Sequence, residues 1–134
     1  MPPDFIDTNV LVYLASGCAE KANQAEALVA AGGTISVQVL NELANVTRRK
    51  MSLSWAQTCD VLGLVRGLLD VVPLTIQTHE TALDLGERYG FSFYDATIVA
   101  AAISAGCRTL WSEDMQHGMR VHNRLRIVNP FAPE

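Results

Sequence analysis

Short apolar runs alternate with helix-like segments along the whole chain, and this alternation limits the fold more than any other feature. Phe5-Ile6, Thr34 to Val37, Val71-Val72-Pro73-Leu74, Thr109-Leu110-Trp111 and Leu125 to Val128 read as strands. Pro73 places the third of these at a sheet edge or a strand end. A short first helix carries Val10, Leu11 and Leu14 and ends near Ser16-Gly17; an Ala-rich one runs from Glu20 to Ala31 and stops at Gly32-Gly33. A longer helix spans about Val39 to Lys50. Ser54 can cap the next, with Leu62, Val65, Leu68 and Leu69 as its apolar face. Thr78 opens a helix that Gly90 closes after Tyr89, and a strongly apolar helix runs from about Asp95 to Ala105, stopped by Gly106. Strands separated in this way imply βαβ units: an α/β fold with a central, mostly parallel sheet and helices on both faces. The connections are short and no repeat or linker interrupts them, so residues 1–134 read as one domain.

Composition excludes several classes. Nearly half of the residues are hydrophobic, too many for a disordered chain, yet no apolar run reaches the ~18 residues of a membrane span. Met1-Pro2-Pro3-Asp4 has neither a basic n-region nor a leader-like apolar stretch, so no secretion signal and a cytoplasmic location are expected. Cys18, Cys59 and Cys107 are scattered and lack zinc-ligand spacing, and His79, His117 and His122 form no i, i+4 pair. The net charge of −4 is unlike a general nucleic-acid binder, although local patches matter more than the total. Arg48-Arg49-Lys50 is one such patch; Arg120, Arg124 and Arg126 form another.

The acidic residues are more informative. Asp7 follows the first strand directly, with Thr8, Asn9 and an apolar helix behind it. In open α/β sheets ligands bind outside the carboxyl ends of strands; Asp before a helix is also an ordinary cap, and Thr8 and Asn9 can serve the same N–H groups. At ~100° per residue from Val39, the apolar positions of the next long helix span roughly 340° through 100°, and Glu42 falls near 300°. It stands at the margin of the buried face, as a snorkelling surface residue or a ligand, and Arg48 points to the far side. Asp95 falls at roughly 60° from Ile98, on the apolar side of its helix. The helix dipole favours an anion there, but a cap normally faces outward and an unpaired buried charge is costly. Ser112-Glu113-Asp114 repeats the arrangement of acids after a strand. Carboxylates gathered in this way repel one another; hard divalent cations resolve the repulsion, and phosphodiester hydrolysis is the matching chemistry.

Asp7-Thr8-Asn9 after a strand, Glu42 on a helix, Tyr94-Asp95-Ala96 opening an Ala-rich helix, and Ser112-Glu113-Asp114 after a strand together resemble a PIN domain. Ser112-Glu113-Asp114-Met115-Gln116-His117-Gly118 is similar to bacterial VapC-type toxins of toxin–antitoxin pairs. The likeness spans nearly the whole chain. It implies a three-layer α/β/α sandwich with Mg²⁺ or Mn²⁺ held by Asp7, Glu42, Asp95 and Asp114, the family pattern choosing Asp114 over Glu113. It further implies endonucleolytic cleavage of single-stranded RNA leaving a 3′-hydroxyl, a homodimer, and inhibition by a small antitoxin protein. Thr8 and Asn9 match positions that support Asp7, Ser112 is a candidate to hydrogen-bond a metal water or a phosphate, and Arg48, Arg49 and Lys50 can hold RNA phosphates without reading bases. Trp55 and Tyr94 are candidates to stack on bases.

Other readings differ in what they require. A PIN-like binding module without nuclease activity has no need of four acids. A solitary RNA-processing nuclease or a structure-specific DNA nuclease shares the site but not the partner. A dehalogenase-type phosphatase wants Asp-x-Asp, whereas this chain has Asp4-Phe5-Ile6-Asp7.

Overall fold

The computed structural model describes residues 4–16 and 18–133. The expectations drawn on Met1-Pro2-Pro3 and on Gly17 lie outside them. Among the described residues the chain forms six strands and six helices. In order these are β1 (Phe5–Ile6), α1 (Thr8–Val12, continued by a 3₁₀ turn over Tyr13–Ala15), α2 (Ala19–Ala30), β2 (Thr34–Ser36), α3 (Val37–Arg49) and α4 (Trp55–Leu68). The chain continues through β3 (Asp70–Val72), α5 (Ile76–Tyr89), α6 (Phe93–Ser104), β4 (Thr109–Trp111), β5 (Arg120–Val121) and β6 (Leu125–Val128).

The strands form one sheet in the order β3-β2-β1-β4-β6-β5, parallel throughout except for the β5–β6 pair. The steps β1→β2→β3 run one way across the sheet and the step from β3 to β4 runs back, so the right-handed rule for parallel crossovers assigns α1 to α4 to one face and α5 and α6 to the other. This is the expected three-layer α/β sandwich, with β3 at an edge as Pro73 implied. Because β1 has β2 on one side and β4 on the other, the strand order reverses between β1 and β4. In open α/β sheets a ligand crevice opens at that point.

The core is built from both periodicities. Phe5, Ile6, Ile35, Leu110 and Ile127 come from the strands, and Val39, Leu43 and Thr47 form the i, i+4, i+8 buried stripe of α3. Helix α6 is buried on all sides from Ala96 to Ala102 because its small side chains let neighbouring layers close on it. Ser54 and Gln57 form a reciprocal capping box at the start of α4. Gly90, at φ 78°, takes the left-handed position that ends α5.

Three local expectations are corrected. Thr75, not Thr78, caps α5, because the extended residue lies three positions before the N–H it serves. Leu68 is solvent-exposed; the inward face of α4 is carried by Val65 and the half-buried Val61 and Leu62, with Leu69 buried just beyond the helix. The antiparallel strand β5 was not expected. It is two residues long and turns into β6 through His122 and Asn123, at φ 53° and 55°, the left-handed pair of a tight hairpin.

Candidate active site

The carboxyl ends of β1 and β4, the middle and end of α3 and the start of α6 enclose a cavity of about 390 Å³, which Asp7, Glu42, Asp95 and Asp114 all line. Each arrives by a different local route. Asp7 leaves β1 with its own N–H held by Trp111 O of β4 at 2.9 Å, so strand pairing sets its place. Its Oδ1 then accepts from Thr8 N at 2.7 Å as the cap of α1. Capping and site duty therefore coincide in one residue. Glu42 is delivered by α3, whose buried stripe presses on the core and leaves the carboxylate half-buried at the rim. Asp95 sits in the first turn of α6, where Ser92 is the cap. Ser92 Oγ accepts from Asp95 N at 3.3 Å, and the half-buried Asp95 lines the cavity. Asp114 is exposed on the turn after β4.

A hydrogen-bond network fixes the acids from behind. Asp7 Oδ2 accepts from Ser112 Oγ at 2.8 Å and from Asn9 Nδ2 at 3.1 Å, while Asn9 Oδ1 accepts from Glu113 N at 2.9 Å. Glu42 accepts from Thr8 Oγ1 at 3.1 Å and from Gln38 Nε2 at 3.0 Å. Asp7, not Thr8 or Asn9, caps the helix; Thr8 and Asn9 tie Asp7 to Glu42 and to the β4 turn, and both line the cavity.

Glu113 separates from Asp114. Its carboxylate accepts from Lys21 Nζ and Tyr13 Oη, both at 2.6 Å, and Lys21 lies 4.9 and 5.1 Å from the ring centres of Tyr13 and Phe131. Burial pushes the Glu113 carboxyl up, but the Lys21 and Tyr13 hydrogen bonds outweigh it and hold it below its ordinary range. Glu113 lines the cavity too, but its carboxylate is engaged by Lys21 and Tyr13 and anchors the turn, whereas Asp114 is exposed there.

The electrostatics are strained in one direction. Asp7, only 3% exposed, is pushed up from 3.8 to about 7, mainly by burial, with the charges of Glu42 and Asp95 adding to it against the Ser112 and Thr8 hydrogen bonds. Asp95 is also raised, by burial and then by the charge of Asp114, against its hydrogen bond with Ser92. A buried acid facing other acids is oxygen-donor chemistry that suits a hard divalent cation. Among the described residues no three acidic, histidine or cysteine side chains are gathered tightly enough to hold one ion alone. The acids ring a space instead, which fits a Mg²⁺-like ion that keeps several waters and takes one or two protein carboxylates.

Three expected substrate contacts are placed elsewhere. Ser112 is fully buried behind Asp7 and spends its hydroxyl there, so it cannot meet substrate. Arg48 donates to Leu53 O at 2.7 Å and stacks 4.3 Å from the Trp55 ring centre; Arg49 shares that neighbouring hollow. Both face away from the acids because α3 turns its far side there, and Lys50 alone of the trio lines the acidic cavity. The positions that sequence reasoning missed are Tyr13, Lys21 and Gln38. A lone Lys in an Ala-rich helix gives no sign of a partner 92 residues away.

An α/β sandwich with an acidic cleft outside β1 and β4 belongs to the class that binds its ligand at the sheet's switch point. Residues 5–118 match the PIN domain model, and the chain belongs to that family. The fold is shared with VapC20 of Mycobacterium tuberculosis, a sarcin–ricin loop cleaving toxin, at 22% identity over 83% of this chain and 89% of that one, with a TM-score of 0.69. A toxin–antitoxin complex from Klebsiella pneumoniae matches at 20% identity, covering 96% and 98% of the two chains, with a TM-score of 0.73. DNA-bound VapBC from Salmonella typhimurium matches at 22% identity, 95% and 97% coverage and a TM-score of 0.65. No curated protein sequence matches significantly.

Proposed function

We propose that the protein is a divalent-metal-dependent endoribonuclease that cuts single-stranded RNA and acts as the toxin of a toxin–antitoxin pair. The observation that carries this reading is the arrival of Asp7, Glu42, Asp95 and Asp114, from four separate segments, at one cavity in which Asp7 is driven up to about 7. Asp7 and Asp95 would hold the principal Mg²⁺ or Mn²⁺, with Glu42 and Asp114 toward a second ion or its waters. The ion supplies Lewis acidity toward a phosphoryl oxygen and makes water a usable nucleophile at neutral pH.

The chain's own groups do the rest. Ser112 and Asn9 hold Asp7 Oδ2 and so fix the carboxylate against the cavity that it lines. Thr8 and Gln38 orient Glu42. Lys50, at the rim, supplies a cation for a substrate phosphate. Leu64 and Leu68 on α4 and Ile76 and Leu83 on α5 are exposed apolar residues available to a second copy or an antitoxin. The toxin–antitoxin character of structural neighbours supports the partner part of this reading.

The test is incubation of single-stranded RNA with the purified protein in Mg²⁺ or Mn²⁺, with and without chelator. Cleavage leaving a 3′-hydroxyl, lost in the Asp95→Asn variant and in chelator, is expected. Inactivity in every metal would favour a PIN-like binding module, and preference for flap DNA would favour a DNA nuclease. Growth arrest on expression, relieved by a short neighbouring reading frame, separates a toxin from a solitary RNA-processing enzyme.

A further inference from the structure

We propose that the hollow ringed by Arg108, Arg120, Arg124 and Arg126 is a second phosphate-binding site, one that takes the backbone of a nucleic acid. This hollow, about 660 Å³, is larger than the acidic cavity and lies at the other end of the sheet. Arg108 and Thr109 stand at the start of β4, whereas Glu113 and Asp114 follow its end. Four of the ten lysines and arginines line it, in a chain of net charge −4.

The backbone forces these cations together. Arg120 and Arg126 are direct partners across the β5–β6 pair, and Arg126 is in register with Thr109 of β4. Like charges directly opposite each other in a ladder are destabilising. The His122-Asn123 turn brings Arg124 back beside them, and Arg126 N donates to Arg108 O at 2.8 Å. All four arginines are exposed, no acid lines the hollow, and the ion pair formed among the described residues is Lys21–Glu113 on another face. Asp4, whose charge reaches Cys107, accepts from Trp111 Nε1 at 3.0 Å and does not line the hollow. Repulsion built into the sheet and left without a carboxylate is relieved by an anion from outside.

Guanidinium forks match carboxylate and phosphate alike. The rest of the lining chooses between them. Besides the arginines it consists of Thr109, Asn123, Gly106, the half-buried Ile103 and the buried Cys107. No exposed aromatic or aliphatic side chain is present to anchor a peptide, whereas backbone phosphates are bound by charge without such anchors.

The experiment measures anisotropy of a fluorescein-labelled oligouridylate against salt concentration, in chelator, so that binding is read whether or not the protein cleaves RNA. The Arg120→Gln/Arg126→Gln variant is expected to bind at least ~10-fold more weakly at low salt. Its slope of log Kd against log salt should fall by about 1.4, the loss of two single-strand phosphate contacts. The Arg66→Gln/Arg88→Gln variant, with the same net charge, is expected to match wild type within about 2-fold. Equal weakening in both variants overturns the site. Displacement of the RNA by millimolar inorganic phosphate assigns it to a free anion, and equal binding of polyglutamate assigns it to an acidic peptide; either overturns the nucleic-acid assignment. Removing facing arginines should not lower Tm. Should the double variant melt early, Arg124→Gln, outside the ladder, carries the same test with half the slope change.

Discussion

Replacing Asp7 by Asn is expected to destabilise the metal-free protein at pH 3.5 and stabilise it at pH 8.5. The carboxyl ionises near 3.8 in the unfolded chain and at about 7 in the folded one. Its folded value is raised, so its contribution is fully present below pH 4 and is lost as pH rises through 7. A difference of about 3 units corresponds to about 4 kcal/mol lost by pH 8.5. Asn stays neutral throughout and avoids that loss. It cannot, however, accept from Thr8 N, Asn9 Nδ2 and Ser112 Oγ as two oxygens do, and leaving a buried donor unpaired costs ~1–3 kcal/mol. The variant should therefore be ~1–3 kcal/mol less stable at pH 3.5 and about as much more stable at pH 8.5. In a domain of this size each kcal/mol moves Tm by about 4 °C. Thermal melts in chelator from pH 3.5 to 8.5 measure it, and Mg²⁺ should raise Tm at pH 8.5 for wild type only. A destabilisation that is constant across the whole pH range would refute the reasoning, since it would mean that Asp7 ionises normally inside the fold.

Two further perturbations separate site from scaffold. Asp114→Asn should lower the RNA cleavage rate on the order of 100-fold, a loss of about 2.7 kcal/mol in the barrier term, whereas Glu113→Gln should stay within ~10-fold of wild type because its carboxylate is engaged by Lys21 and Tyr13. Initial rates on one RNA substrate decide this, and the reverse order would reassign the fourth acid. Leu43→Ala, in the fully buried stripe of α3 that carries Glu42, should cost ~2–5 kcal/mol in urea unfolding.

Much of this architecture was legible because the informative residues obey short-range rules. Acids after the strands that end at Ile6 and Trp111 mark the switch-point crevice, and the helical angle of Glu42 puts it at the rim where the structure has it. Asp95 was legible for a different reason from the one its angle suggested. Since α6 is buried all round, its periodicity carries little information; what matters is that the first turn of α6, capped by Ser92, opens on the cavity that Asp95 lines. Contacts set by the tertiary fold alone were not legible. Ser112 looks like any turn serine until Asp7 is placed on it, and Lys21 meets Glu113 only after α2 has folded against the 3₁₀ turn. β5 escaped notice because two residues, one of them Arg, make no pattern.

That small strand has a bearing on how copies of this chain can meet. At one margin of the sheet β5 caps β6 after only two residues and carries a charge; at the other, β3 is three residues long, begins with Asp70 and runs into Pro73. Both borders are poor templates for a further strand. Association by lengthening the sheet is thus discouraged at either side, which leaves helix surfaces and loops as the routes to any assembly and lowers the risk of fibre-like stacking.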